Sequence, residues 1–243
     1  LCPHSDNHQL RWWMCSFAPE ENLWYDATQQ NRVGVDVVKA SKVYSVLCAV
    51  LLALAVVSAS VAVPILCRSF YYAQIGPLNL EEMTGLQPEV IREAYDGVMD
   101  YCTGKTESFS AGLLPFSESG ASHFEDVRGL FLLDLRVLVI SLVALAALFV
   151  YARWKKLVPQ RFLGRGPGFW GAAGLGGAFL LIGGLAALDF DRAFVIFHTL
   201  FFPGKDNWIF DWRTDPVILI LPQDFFRNCA VLILVLLLLW CGI

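Results

Sequence analysis

From residue 43 to residue 66 the chain carries 24 residues without one charged side chain. An α-helix crossing a bilayer needs about 20 predominantly apolar residues, so this run constrains the fold more than any other feature. It also exceeds the roughly 7–15 apolar residues of a signal-peptide core, and it reads as a retained anchor. Composition agrees: 56% of the chain is apolar and only 16% charged, where a soluble domain carries about 25% charged residues. Three more runs follow. Residues 137–152 are uncharged, and their apolar pattern reaches back to Gly129 across Asp134 and Arg136; residues 169–188 and 225–243 complete the set. The expected fold is an all-α membrane protein with four transmembrane helices.

Lys and Arg in short loops set the orientation. Residues 153–168 hold five basic side chains and no acid, whereas residues 67–134 hold eleven acids against four bases. The first segment should be cytosolic and the second extracytoplasmic. Both termini would then be cytosolic, in a multi-pass membrane protein. His123 and His198 fall on the outer side.

Finer organisation follows from caps and breakers. Residues 1–42 read as an irregular polar and aromatic extension, disordered or a non-native leader, in which Cys2, His4 and His8 only superficially resemble a metal tract. After the first helix (43–66), the extracytoplasmic segment 67–121 should be partly helical. Asn79-x-x-Glu82 looks like a capping pattern, Gly85 can end that turn, and Pro88 suits the first position of an amphipathic helix. Ser122-x-x-Glu125 should cap an uninterrupted helix over 122–154 that starts outside and becomes the second span. A basic loop (155–168), the third helix (169–188), an outer segment (189–224) and the fourth helix (225–243) complete the order. Within 189–224 the apolar stretch 193–202 is too short to span, so it should be an interfacial or re-entrant element ended by Pro203-Gly204. Small residues four apart in the third span, such as Ala172/Gly176, suit close helix packing, or room for an acyl chain.

Chemistry is sparse. No HExxH, GxSxG or Gly-rich phosphate loop is present. Neither His123 nor His198 has a histidine four residues away to fix zinc on one helix, and no serine or cysteine stands out beside either of them as a nucleophile. Two histidines remain. His123 and Asp126 lie three apart at a helix start and share a face. A carboxylate there would raise the histidine's pKa and set its tautomer for general-base work; a solvated helix start would show the same pair. His198 shares a helical face with Phe194, Phe197 and Phe201 at the depth of the outer leaflet, with Trp208 and Trp212 as interface anchors. A polar ring there is a functional candidate, the alternative being a side chain snorkelling to headgroups.

In order, His123-x-x-Asp126-Val127, Phe197-His198-x-x-x-Phe202 with Trp208, and Leu221-Pro222-x-x-Phe225-Phe226 resemble the bacterial integral-membrane family of the lipoprotein intramolecular transacylase, Lit. The resemblance covers about residues 43–243. It implies an acyltransferase that moves the sn-2 acyl chain of a diacylglyceryl lipoprotein onto the α-amine of the same cysteine, giving a lyso-form lipoprotein. The family's two essential histidines map onto His123 and His198. The expected roles are His123 as base, oriented by Asp126, and His198 as oxyanion donor, or the reverse, with Phe197, Phe202 and Trp208 lining the lipid. Partners would be the lipoprotein and membrane lipids, with no nucleic acid, metal or nucleotide cofactor. A non-enzymatic membrane scaffold and a metal-dependent membrane hydrolase are the competing readings.

Overall fold

The computed structural model describes residues 39–242, so the expectations for residues 1–38 lie outside the described residues. The helices and the site described below lie in the unit formed by residues 40–243. Four helices are long and apolar enough to cross a membrane: α1 (Lys42–Leu66), α5 (Glu118–Lys155), α6 (Pro167–Leu188) and α9 (Gln223–Gly242). Between α1 and α5 lie α2 (Arg68–Tyr72), α3 (Leu80–Thr84) and α4 (Pro88–Cys102), and between α6 and α9 lie α7 (Phe190–Phe201) and α8 (Val217–Ile220). Two three-residue strands, β1 (Lys39–Ser41) and β2 (Leu157–Pro159), are the only strands among the described residues.

The long helices keep little of themselves inside the protein. Val139, Ile140, Leu181 and Leu185 are all more than half exposed, which suits a hydrocarbon solvent and no other. In lipid every backbone group must be satisfied within the segment, and helices do this. Helix α1 starts at Ser41, whose Oγ accepts from Tyr44 N–H. Helix α6 approaches α9 closely: a Cβ on Gly176 would lie 3.6 Å from Cys241 Cβ, and one on Gly183 would press on Leu234. Gly176 and Gly183 therefore serve packing at this interface.

The buried core sits in the cap built from α2 to α4, the start of α5 and the 217–225 segment. Tyr71 stacks on Tyr95 with ring centroids 3.7 Å apart and donates its hydroxyl to Ile220 C=O at 2.7 Å. Of the apolar residues at helical spacing in α4, Ile91, Ala94, Val98 and Cys102 are buried and Val90 is half-buried, and Tyr95, Met99 and Tyr101 join the buried set. Cys67 is exposed, Cys102 is buried, and both are free thiols.

Two expected caps differ. Asn79 stands at the start of α3, but with φ 53° and no side-chain bond to the helix. Helix α5 begins at Glu118, not Ser122, because Ser117 Oγ accepts from Gly120 N–H at 3.0 Å while Asp215 Oδ1 accepts from Ser117 N–H at 2.8 Å. At 1.5 Å per residue, its 38 residues extend about 57 Å, nearly twice a hydrocarbon core of about 30 Å. His123, in its second turn, therefore lies well outside the apolar run of the same helix.

Candidate active site

Helix α5 delivers His123 and helix α7 delivers His198 to one place. Their ring centroids are 5.9 Å apart, and each residue keeps less than a tenth of its surface, 6% and 8%. Aromatic rings form the walls. His198 has Phe194 at 4.2 Å, Trp208 at 4.7 Å, Phe197 at 5.5 Å and Phe202 at 5.6 Å. His123 has Phe202 at 5.0 Å and Phe210 at 5.4 Å. Phe197, Phe202 and Trp208 are thus all against His198, with Phe202 shared by both rings.

The amphipathic pattern of 190–201 explains how a polar ring comes to sit in this pocket. Asp189 caps α7 by accepting from Arg192 N–H at 2.9 Å. One turn separates Phe194 from His198, and His198 Nδ1 bonds the Phe194 carbonyl oxygen at 2.8 Å. A carbonyl can only accept, so Nδ1 carries the proton, and in the neutral ring Nε2 holds the free lone pair. His198 is therefore built to accept a proton at Nε2. His123 differs: its Nδ1 is buried and has no hydrogen-bond partner.

Both rings favour neutrality. Burial pushes His123 down to about 4, helped by the neighbouring His198 and opposed by Asp126. Burial also pushes His198 down, against the bond to Phe194. The expectation that Asp126 would raise the pKa of His123 is corrected: it pulls upward, but desolvation in the aromatic pocket wins. Nor does Asp126 orient that ring. Its Oδ1 accepts from Lys205 Nζ at 2.5 Å and its Oδ2 from Asn207 Nδ2 at 3.1 Å. Burial raises the Asp126 pKa, yet these two bonds outweigh it and hold the carboxyl below its ordinary range.

Four contributors had no signal in the sequence. No cap, motif or spacing in the sequence singles out Lys205, Asn207 or Phe210. Asp215 reads as an interface charge, yet it is 4% exposed and braces the start of α5. A Cβ on Gly120 would overlap that carboxylate, so the pairing needs glycine there. Among the described residues no three His, Cys, Asp or Glu side chains converge in a way that could hold a metal.

The family model for the lipoprotein intramolecular transacylase Lit matches residues 46–226. The chain belongs to the Lit family. Solved structures agree with Lit membership. The membrane integral lipoprotein intramolecular transacylase Lit from Bacillus cereus superposes with a TM-score of 0.72 at 25% identity, covering 82% of this chain and 90% of that one. Structures of the same protein with a histidine-to-arginine and a histidine-to-alanine mutation, each 22% identical, share the fold at TM-scores of 0.68 and 0.67. These cover 91% of this chain and 91% and 94% of theirs. No curated protein sequence matches this one. Four apolar helices and the Lit fold make this an integral membrane protein.

Proposed function

We propose that the chain is an intramolecular lipoprotein transacylase acting through His123 and His198. One observation carries this reading: two imidazoles from helices 75 positions apart in sequence meet, nine-tenths buried, in one aromatic pocket. The substrate class is a lipoprotein whose N-terminal cysteine bears a diacylglyceryl thioether and a free α-amine. Amine and ester then belong to one molecule, and the pocket has mainly to bring them together. Well-oriented intramolecular reactions reach effective molarities of about 10⁵–10⁸ M.

His198 Nε2 takes a proton from the ammonium, and the freed amine nitrogen attacks the sn-2 ester carbonyl. His123, neutral at pH 7, donates an N–H to the oxyanion that develops; a neutral imidazole can serve this role. His198 releases that first proton to water and takes the second from the nitrogen of the tetrahedral intermediate. It delivers this second proton to the glyceryl alkoxide as the C–O bond breaks, so the acyl group stays on nitrogen as a neutral amide. The roles are thus the reverse of the first assignment in the sequence, because the Phe194 carbonyl sets the tautomer of His198. Phe197, Phe202 and Trp208 would hold the lipid beside the ester.

The acidic balance of residues 67–134 and the basic balance of 153–168 support an extracytoplasmic site in a bacterial cytoplasmic membrane. Expressing the chain in a bacterium with diacylated lipoproteins, and analysing N-terminal lipopeptides by mass spectrometry, tests the reaction. An N-acyl lyso-form should appear with the native chain and vanish with His123→Ala or His198→Ala. Its persistence in both folded variants refutes the assignment.

A further inference from the structure

Asp126 stands one turn beyond His123 on α5, yet both its oxygens are occupied by residues from the segment joining α7 to α8. Lys205 takes one and Asn207 the other, and Asn207 also reaches Ser122 Oγ at 3.5 Å. That segment is folded tightly on itself. Gly204 adopts φ 74°, Lys205 N–H donates to Phe202 C=O at 3.1 Å, and Trp208 Nε1–H donates to Lys205 C=O at 3.1 Å. A pull on Lys205 is therefore a pull on both neighbouring rings. Phe202 and Trp208 are two of the rings covering His198, and Phe202 covers His123 as well.

We propose that Asp126 is a positioning residue: with Lys205 and Asn207 it latches residues 202–208 onto α5 and so holds Phe202 and Trp208 closed over His198. The inference rests on the acyl-transfer reading of the same pocket and gives Asp126 a task in it other than orienting His123. The magnitude fits a cover that must open for a lipid. Lys205 is about half exposed and Asp126 about a quarter, so water screens the pair and its strength is that of a partly solvated ion pair. Removing it should shift the open-to-closed ratio by roughly twofold to fivefold, not by orders of magnitude.

Diethyl pyrocarbonate, which acylates neutral imidazole, reports whether His198 is covered. The full chain in detergent micelles is treated at pH 7, and the rate at His198 is read by peptide-resolved mass spectrometry. Maleimide labelling of Cys102, which is buried in the cap, monitors the global fold. Lys205→Met should speed the reaction at His198 by about twofold to fivefold while Cys102 stays protected. Lys205→Arg, which keeps the cation, should leave the native rate. In the acyl-shift assay Lys205→Met should lower kcat/KM and move the acidic limb of the pH profile upward, because uncovering His198 relieves the burial that depresses its pKa, whereas Lys205→Arg should leave both unchanged. An unchanged His198 rate in Lys205→Met, exposure of Cys102 along with it, or the same acceleration in Lys205→Arg each overturns the latch. Native chain that forms no N-acyl product, while Lys205→Met still uncovers His198, overturns the acyl-transfer reading and leaves the latch standing.

Discussion

At the scale of the residue, the pocket works by refusing charge. An imidazole in water titrates near 6.5, but the rings around His123 remove the solvent that would stabilise its cation, and it falls to about 4. His198 is displaced in the same direction. The base of the reaction is the neutral form, so kcat/KM should stay level as pH falls through 6.5 and decline only below it; a midpoint at or above 6.5 in a pH–rate profile contradicts this. Stability follows the same sign. Between about 6.5 and about 4 the unfolded chain binds a proton that folded His123 does not, so its contribution is complete above pH 6.5 and is lost as pH falls through that window. Replacing His123 with Asn should flatten thermal stability against pH over that range.

At the scale of the element, the contacts differ in how much space they leave. Gly176 of α6 faces Cys241 of α9 at an ordinary van der Waals distance for a Cβ. A methyl fits there and an isobutyl group does not. Gly176→Ala should therefore leave the melting behaviour of the detergent-solubilised protein nearly unchanged. Gly176→Leu should destabilise it by about 1–3 kcal/mol, the usual cost of overpacking; equal stability of the two variants would show that α6 and α9 do not rely on close approach. Helix α5 has a different task. It runs unbroken from Glu118 to Lys155, so the membrane-embedded part anchors His123 rigidly near its N-terminal end, with Asp215 fixing where the helix starts.

At the scale of the whole molecule, a small aqueous-type core caps a lipid-facing bundle. A polar bond ties the cap to the last helix: Asn228 Nδ2–H donates to Gln74 Oε1 at 2.7 Å. Cys67, just past the end of α1, is exposed. If the acidic segment faces outward, a membrane-impermeant maleimide added to intact cells should label Cys67, and should label an introduced Arg161→Cys only after the cells are broken. The opposite pattern would invert the molecule and put the pocket in the cytosol.

The spans, the short amphipathic element between the third and fourth of them, and the two histidines worth attention were all legible in the sequence. Lipid imposes a local rule of length and apolarity that each run satisfies by itself, and a lone imidazole among aromatics is conspicuous by its desolvation. Partnerships were not legible. Lys205 lies 79 positions from the Asp126 it binds, and Asp215 lies 98 from the Ser117 it braces. Helical spacing puts Asp126 and His123 on one face, but nothing local says which neighbour the carboxylate will choose. Only the folded backbone brought the competing ammonium and amide to it, as it brought Asp215 to the start of α5.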